Sequence, residues 1–378
     1  MKIAVIAQGT IPAQTANSIQ NMKMAGAFVG LGIEVKVFAP GKDPEIDWRQ
    51  LANHYGLEQQ FEILWIPIRS FWRRYDFAFS SVRAAQEWGA DLVYTRLPQA
   101  ATVAGERGLP TIFELHDMPS GAMGPWLLRR FLKAPGARRL VVNTNHLKQK
   151  IQKRYQIPDE ENVLLLAPNG VDLQRYEDLP TPELARKKLG LPETFTAGYT
   201  GHLYKGRGIE LILELARRLP NVRFLFVGGR PEDVAWRKQQ ASDLAHAQFI
   251  GFVSNADLPL YQAACDVLLM PHERKVAGSS GADISEFTNP LKMFEYLASG
   301  RPILVSDLPI LREVLNEENA ILLPIGDAQS WESALTTLMA SPARRAELSK
   351  AGEKTAAQFS WEKRAARVLR DIGKTAKI

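Results

Sequence analysis

The sequence predicts an α/β protein made of two doubly wound Rossmann-like domains. Short apolar segments alternate with helical patterns in the first half, a Pro-rich break follows at residues 179–182, and the alternation then restarts. This alternation is typical of parallel strands joined by crossover helices. At 378 residues the chain is also longer than one ordinary domain. We therefore predict one domain at residues 1–175, a second at 176–359, and a C-terminal helix at 360–378.

Seven apolar segments predict a seven-stranded sheet in the first domain. They lie at residues 2–7, 34–39, 61–67, 91–94, 111–115, 139–143 and 163–167. Asn17 is a candidate N-cap for the helix that follows the first strand, and Gly32 marks the end of that helix. The loop at residues 8–16 lies at the carboxyl end of the first strand, where doubly wound folds bind ligands.

Six further apolar segments predict a second sheet of the same kind. They lie at residues 196–200, 222–227, 248–250, 267–270, 302–305 and 320–323. Helical patterns complete the chain at residues 331–340, 342–358 and 361–372.

The composition is typical of a water-soluble protein. Hydrophobic residues make up 46% of the chain and charged residues 23%, and no apolar run reaches the roughly 18 residues of a membrane span. A single cysteine, Cys265, excludes an internal disulfide, so we expect a cytoplasmic protein. The net charge of +6 falls mainly in the first half, but no nucleic-acid-binding module accompanies it. We therefore expect no nucleic-acid partner.

Residues 286–302 predict a helix of about three turns that holds a phosphate. Asn289 is a good N-cap, Pro290 suits the first helical position, and Gly300 marks the end. The free amides from Thr288 onward and the positive end of the helix dipole form an anion site.

Within that helix Lys292 and Glu295 lie three residues apart and share one face. A carboxylate at Glu295 can accept hydrogen bonds from two ribose hydroxyls while the helix end takes the phosphates. An ordinary capped surface helix with a Lys/Glu pair explains the same residues.

A glycine-rich turn at residues 200–208 follows the first strand of the second domain. Gly201 and Gly206 let backbone amides approach a phosphate, and His202 and Lys205 supply donors to a departing diphosphate. The turn matches neither a Walker A loop nor a GxGxxG fingerprint. It is therefore open to interpretation as a plain strand-to-helix connection.

Other polar or glycine-containing segments follow predicted strands in the same way. Each suits contact with a hydroxyl, sugar or base, and each is equally explained by turn chemistry or a structural role. The candidates are His116, Gly229 with Arg230, Phe252 with Val253, and Asn169.

Residues 124–133 alternate aromatic and aliphatic groups with three cations. Such a helix suits the surface of an anionic membrane, although a partly buried amphipathic helix has the same pattern. No spacing of His, Cys or carboxylate residues matches a metal site, and no Asp-x-Asp pair is present to hold a nucleotide-bound cation. We therefore predict that no metal or other cofactor is needed.

Taken together, these segments resemble the family 4 retaining glycosyltransferases of GT-B fold. The resemblance extends over nearly the whole chain. It rests on residues 17–20, Glu114 with His116, residues 169–172, Gly201 with Lys205 and Gly206, residues 251–253, and residues 289–302.

The resemblance implies a GT-B enzyme whose two domains face a cleft, with a last helix that crosses back to the first domain. The second domain would bind a UDP- or GDP-sugar, and the first would bind a glycan, lipid-linked or small-molecule acceptor. The enzyme would transfer the sugar to a hydroxyl with retained configuration, in the synthesis of glycans, glycolipids or cell-envelope polysaccharide. We expect the enzyme in the cytoplasm. Residues 124–133 and the basic first half separately predict peripheral contact with the inner face of an anionic membrane.

The resemblance also implies roles for particular residues. Four would act in catalysis: His116, His202, Lys205 and Glu286. The nucleotide-sugar donor would contact Gly201, Gly206, Gly229, Arg230, Phe252, Val253, Thr288, Asn289, Leu291, Lys292 and Glu295. The acceptor side would include Thr15, Asn17, Gln20 and Asn169. In these roles Glu295 holds the ribose, Lys205 and the amides of Leu291 and Lys292 hold the diphosphate, and His116 lies near the donor sugar.

Two positions depart from the family pattern. Phe287, next to Glu286, stands where many members have a glutamate that contacts the donor sugar. A branch of the family with a Pro-x-Lys-x-x-Glu motif shares this departure. His202 stands where many members have an arginine facing the diphosphate. A GT-B epimerase or phosphorylase, or a sugar-nucleotide binding protein without catalysis, therefore remains an alternative.

Overall fold

The computed structural model describes residues 1–68, 74–277, 283 and 285–372. Contacts divide the chain into two units, Met1–Asn169 with Trp361–Ile378, and Gly170–Ser360. The last six residues of the predicted C-terminal helix, 373–378, lie outside the described residues. No described helix is long and apolar enough to span a bilayer.

The first unit contains a parallel sheet of seven strands among its described residues, in the order β3-β2-β1-β4-β5-β6-β7. The strands are β1 (Lys2–Ile6), β2 (Glu34–Pro40), β3 (Glu62–Ile66), β4 (Leu92–Thr95), β5 (Thr111–Leu115), β6 (Ala137–Val142) and β7 (Leu164–Leu166). The helices are α1 (Ala16–Gly30), α2 (Trp48–Tyr55), α3 (Tyr75–Trp88), α4 (Pro98–Glu106), α5 (Met123–Leu132) and α6 (Asn145–Tyr155), with the returning helix described below. This confirms the predicted doubly wound sheet, with strand ends shifted by up to two residues.

The start of α1 differs from the prediction. Thr15, in extended conformation, is the N-cap, and its hydroxyl accepts a hydrogen bond from the amide of Ser18 at 3.3 Å. Asn17 lies inside the first turn, where its side-chain amide donates to Gln8 Oε1 at 2.7 Å. The prediction of Asn17 as the cap was therefore wrong, because the chain bends two residues earlier.

The second unit contains a parallel sheet of six strands among its described residues, in the order β10-β9-β8-β11-β12-β13. The strands are β8 (Thr196–Thr200), β9 (Arg223–Val227), β10 (Ala247–Gly251), β11 (Val267–Met270), β12 (Ile303–Ser306) and β13 (Ile321–Leu323). The helices are α7 (Pro182–Leu189), α8 (Ile209–Arg218), α9 (Pro231–Gln240), α10 (Leu258–Ala263), α11 (Leu291–Ala298), α12 (Ala328–Ala340) and α13 (Pro342–Ala356). The predicted second sheet is thus also confirmed.

The final described helix, α14 (Trp361–Leu369), belongs to the first unit. Trp361, Arg364, Ala365 and Val368 are its buried residues. The guanidinium of Arg139 on β6 donates to the carbonyl oxygens of Val368 at 2.7 Å and Arg370 at 2.8 Å. A cation that bonds the last carbonyls of a helix satisfies groups that have no partner within the helix. Arg139 therefore fixes the C-terminal end of α14 to the first sheet.

Candidate functional site

In the second unit the order of the strands in the sheet indicates where a ligand crevice is expected. Strands β8, β9 and β10 run to one edge, and the chain then returns to β11 on the other side of β8. In open α/β sheets, ligands bind at the carboxyl ends of the strands where this reversal occurs. The two segments at this point are residues 201–208, after β8, and residues 271–277, after β11.

Backbone contacts hold these two segments against each other. The amide of Glu273 donates to the Gly206 carbonyl at 2.9 Å, and the amide of Ala277 donates to the Lys205 carbonyl at 3.2 Å. Gly206 has a φ of +82°, and a Cβ there would lie 2.0 Å from the Lys275 carbonyl oxygen. Only glycine permits this approach. The turn is therefore fixed in position while the side chain of Lys205 is exposed to solvent.

The His202 side chain belongs to a stack of rings and cations beside this turn. Its imidazole lies parallel to the Tyr204 ring at 4.6 Å, and the Arg230 guanidinium lies 5.0 Å from the centre of that ring. Arg230 follows Gly229 at the end of β9. Three positions predicted for the site, His202, Gly229 and Arg230, thus lie beside the turn, and the Tyr204 ring contacts the side chains of the first and the last.

Helix α11 presents its N-terminal end at residues 289–292. Pro290 is the N-cap and makes no side-chain capping bond, and Thr288 and Asn289 are buried before it. The prediction of Asn289 as N-cap and Pro290 as the first helical residue was wrong, because Pro290 has an extended ψ of 131°. The helix has eight residues, about two turns, and its first amides belong to Leu291 and Lys292.

The remaining donor-site candidates differ in exposure. Phe252, at the end of β10, is 42% exposed, whereas Val253 packs on the core. Glu295 is half-buried one turn into α11. Glu286 is exposed in a short 3-10 helix, whereas Phe287 beside it is buried. Of the two, only Glu286 is accessible to solvent.

In the first unit, a buried carboxylate organises the polar residues at the ends of the strands. Glu114, the fourth residue of β5, accepts hydrogen bonds from Arg364 Nη2 at 2.8 Å and from Gln20 Nε2 at 2.9 Å. Tyr94 Oη and His116 Nε2 also bond to it. Two predicted residues, Gln20 and His116, are thereby brought to one carboxylate.

This network fixes the protonation state of His116. Burial lowers the pKa of His116 to about 4, and the positive charge of Arg96 acts in the same direction. Burial alone would raise the pKa of Glu114, but Arg364 and His116 hold it well below its usual range. An ionised carboxylate only accepts hydrogen bonds, so the Nε2 of His116 carries the proton. Its Nδ1 is then an acceptor for a hydroxyl group.

The other predicted acceptor-side residues lie elsewhere in the first unit. Thr15 and Asn17 lie at the start of α1, where Asn17 also accepts a bond from the Asn21 side chain at 2.8 Å. Asn169 is buried after β7. Arg96 Nη1 donates to Gln20 Oε1 at 3.3 Å, which links the end of β4 to the Glu114 network.

Four residues of these two sites were not predicted from the sequence. Arg364 and Arg96 surround Glu114 in the first unit, and Arg207 and His272 lie beside the turn of the second. Arg207 directly follows Gly206, and His272 is the second residue after β11, so both stand next to signals that were available in the sequence. Within the described ranges, no group of three His, Cys, Asp or Glu side chains is arranged to hold a metal ion.

Two family models match successive parts of the chain. Residues 20–175 match glycosyltransferase family 4, and residues 194–341 match glycosyl transferases group 1. Among curated relatives, phosphatidyl-myo-inositol mannosyltransferase of Mycobacterium leprae is 25% identical over 228 residues, which is 58% of this chain and 56% of that protein. D-inositol 3-phosphate glycosyltransferase of Rhodococcus erythropolis is 27% identical over 308 residues, 78% of this chain and 64% of that protein. The chain thus spans between about half and two thirds of the length of these relatives.

Solved structures with the same fold cover the chain almost completely. Sucrose-phosphate synthase from Thermosynechococcus elongatus superposes with a TM-score of 0.76 at 20% identity, covering 99% of this chain and 98% of that one. HepE of Anabaena, solved in complex with UDP-glucose, has a TM-score of 0.72 at 18% identity and covers 99% and 100% of the two chains. The fold is GT-B. A glycosyltransferase family model matches most of each of the two units, so the chain is similar to glycosyltransferases over both.

Proposed function

We propose that this protein transfers a sugar from a nucleotide diphosphate donor to a hydroxyl acceptor, with retained anomeric configuration. The observation that carries the proposal is the crevice of the second unit at the carboxyl ends of β8 and β11. There the fixed turn at residues 201–208 and the N-terminal amides of α11 combine backbone donors with cationic side chains. Such an arrangement suits a diphosphate.

The relatives support the choice of substrates. HepE of Anabaena was solved with UDP and with UDP-glucose, and the two curated relatives are named as inositol-directed glycosyltransferases. We propose a UDP- or GDP-sugar as donor. The proposed acceptor is a hydroxyl of a glycan, a lipid-linked molecule or a small molecule, in glycan, glycolipid or cell-envelope polysaccharide synthesis.

In the proposed reaction the bond between the anomeric carbon and the diphosphate oxygen breaks, and a bond to the acceptor oxygen forms. The acceptor proton passes to the leaving phosphate, so no protein nucleophile takes part. Lys205, His202 and the amides of Leu291 and Lys292 stabilise the charge that develops on the diphosphate. Loss of one donor of this kind typically costs about 3 kcal/mol of transition-state stabilisation.

Four further residues receive roles under this proposal. Glu295 accepts hydrogen bonds from the ribose, and Phe252 offers its exposed ring to the base. Glu286 contacts the donor sugar, since the buried Phe287 beside it has no polar group to offer. In the first unit, His116 Nδ1 accepts a hydrogen bond from a sugar hydroxyl.

The proposal is tested with Lys205→Ala, because this side chain is exposed and its removal leaves the packed turn intact. Transfer should fall by about a hundredfold, whereas Lys354→Ala, which removes an exposed lysine from α13, should be as active as the wild type. Nuclear magnetic resonance of the product should show the anomeric configuration of the donor. Free epimerised nucleotide sugar, dependence on inorganic phosphate, or equal activity of the two variants would contradict the assignment.

We also propose that the first unit contacts anionic membranes through α5. Leu127, Leu128 and Phe131 bury one face of this helix, while Met123 and Trp126 are more than 40% exposed. Arg129 and Lys133 are exposed nearby, whereas Arg130 is held by Glu106 through a bond of 2.6 Å. Exposed aromatic and cationic groups on one helix suit the interface of an anionic bilayer.

Co-sedimentation with vesicles of anionic lipid tests this contact. The wild type should bind at low salt and dissociate at high salt, because the Debye length falls to about 3 Å at 1 M. Trp126→Ala combined with Arg129→Gln should bind less, while Arg138→Gln, an exchange elsewhere in the same unit, should bind like the wild type. Failure of the wild type to sediment at low salt would refute the contact.

A further inference from the structure

A group of buried basic side chains lies at the carboxyl ends of β8 and β11 in the second unit. The amine nitrogen of Lys292 is buried 3.8 Å from the centre of the Tyr199 ring and has no hydrogen-bond partner. His272, the second residue after β11, is fully buried, and its Nδ1 also lacks a partner. Buried polar atoms in native proteins are almost always hydrogen-bonded, so two orphans in one place require an explanation.

Arg207 determines which atom of His272 carries the proton. Its Nη1 lies 3.3 Å from His272 Nε2. A guanidinium can only donate, so Nε2 accepts and the proton of the neutral imidazole is on Nδ1. His272 Nδ1 is therefore a buried donor without an acceptor. The amine of Lys292 is likewise a buried donor without an acceptor.

The charges of these groups act on one another. Burial lowers the pKa of Lys292 well below its usual range, the charge of Arg207 lowers it further, and Glu295 opposes them. Burial also lowers the pKa of His272, with Arg207 and Lys292 acting in the same direction. Tyr199 beneath the amine has a raised pKa, chiefly through burial, and stays neutral.

Two other buried cations of this protein have carboxylate partners. Arg186 bonds Asp266 at 2.8 Å in the second unit, and Arg364 bonds Glu114 at 2.8 Å in the first. Burying a charge without such a partner is costly. The group formed by Lys292, Arg207 and His272 is thus rich in donors and short of acceptors, which is the condition that an anion relieves.

Gly201 connects this group with the crevice. Its φ is +124°, and a Cβ there would lie 2.9 Å from Lys292 Nζ. The absence of a side chain lets the lysine amine lie against the backbone of the turn that begins the predicted diphosphate site. The turn at Gly201 thus lies on one side of this group. The first turn of α11, which carries Lys292, lies on the other.

We propose that Lys292, Arg207 and His272 form a binding site for a phosphate group, and that the amine of Lys292 takes up a proton when the phosphate binds. This inference rests on the proposed function, which makes the phosphate part of a nucleotide diphosphate. Lys292 then acts through its side chain, and not only through the backbone amide that the family resemblance implies. Arg207 and His272 become binding residues.

Isothermal titration calorimetry with UDP, in buffers of different ionisation enthalpy, measures this proton uptake. The wild type should take up close to one proton per UDP at a pH where the free amine is neutral. Its affinity should weaken as the pH rises, because protonation then becomes harder. Lys292→Met should take up no proton and bind UDP at least tenfold more weakly, and Lys354→Met should behave like the wild type.

Folding is checked by thermal melting, which should show Lys292→Met at least as stable as the wild type, since a partnerless buried amine is replaced by an apolar chain of similar length. His272→Gln provides a second variant. It should weaken UDP binding while proton uptake at Lys292 persists. Uridine, which has no phosphate, should cause no uptake with any variant.

The outcomes separate this inference from the proposed function. Equal UDP affinity and equal proton uptake in the wild type and Lys292→Met would overturn the phosphate site and leave the proposed function standing. Pyrophosphate binding with proton uptake, but without binding of any nucleoside diphosphate, would support the site and overturn the proposed function. If pyrophosphate, inorganic phosphate, UDP and GDP all fail to bind, both are refuted.

Discussion

Replacing Arg364 with methionine is expected to destabilise the first unit by about 4 kcal/mol. Arg364 on α14 is buried, and its Nη2 bonds Glu114 Oε1 at 2.8 Å and the Ala167 carbonyl at 3.1 Å. Its Nε bonds the Pro168 carbonyl at 2.8 Å. Methionine fills a similar volume but restores none of these bonds, so the variant removes the interactions without opening a large cavity.

The magnitude follows from these contacts. Removing one partner of a buried ion pair typically costs about 3–5 kcal/mol, because the other charge stays buried. Glu114 keeps hydrogen-bond donors from Gln20, Tyr94 and His116. The cost of leaving its charge without Arg364 should therefore be near the lower limit, about 3 kcal/mol. The two orphaned carbonyls add roughly 1 kcal/mol in total, because part of their lost hydrogen bonding is recovered from water.

Hydrogen exchange followed by mass spectrometry resolves this loss by unit. Peptides that contain β5 should exchange faster in Arg364→Met, while peptides that contain β8 in the second unit should be unchanged. Arg367→Met is the matched control on the same helix, because Arg367 pairs with Glu161 at 2.7 Å on the surface and should matter by less than about 1 kcal/mol.

A loss for Arg364→Met within 1 kcal/mol of that for Arg367→Met would refute this reasoning. The double variant Arg364→Met with Glu114→Gln provides a further check. Neutralising Glu114 removes the orphaned charge, so the double variant should be more stable than the sum of the two single losses, by about 1–3 kcal/mol. Strict additivity would mean that the pair is not coupled.

Three further predictions concern the pKa of His116, the packing at Gly208 and the effect of removing metal ions. The pKa of His116 is about 4 when folded and about 6.5 when unfolded, so the unfolded state binds more protons between these values. Stability of the first unit should therefore rise with pH from 4 to 6.5, and His116→Gln should lose most of that slope; equal slopes would contradict the assignment. Gly208→Ala should destabilise the second unit by at least 3 kcal/mol, because its Cβ would lie 1.8 Å from the Pro271 carbonyl oxygen. Gly190→Ala, with a similar φ of +65° and open space, should cost only about 1–2 kcal/mol, and equal losses would show that the contact is relieved. Sugar transfer should be unchanged by EDTA, since cationic side chains take the position of a metal at the diphosphate; inhibition reversed by Mg²⁺ would contradict this proposal.

The two sheets could be predicted from the sequence because both are parallel and buried on both faces. Strands of that kind are short continuous apolar runs, such as Lys2–Ile6 and Val267–Met270, and helical patterns separate them. The exact helix starts could not be predicted in this way. Thr15 and Asn17 are both good caps by residue type, and only the course of the chain decides between them.

The site residues could be predicted where they are contiguous in the sequence, and could not where they meet only in the folded structure. The glycine turn at residues 201–208 and the segment at 286–302 were predicted because each is contiguous in the sequence. The pairing of Glu114 with Arg364 spans 250 residues, and no local pattern indicates it. The burial of the Lys292 amine beneath Gly201 is also a tertiary fact. From the sequence, only a shared helix face with Glu295 and a backbone amide at the diphosphate were inferred for that lysine, and its amine was given no role.

Hydrogen exchange of the wild type with and without saturating UDP tests the central claim, that the crevice of the second unit is a nucleotide diphosphate site. At a hundred times its dissociation constant, UDP should stabilise the protein by about 2.7 kcal/mol. Protection should appear in peptides covering residues 200–208, 271–277 and 289–295. Global stabilisation by UDP without protection of these peptides, or no stabilisation by UDP, GDP or their sugars, would contradict the claim.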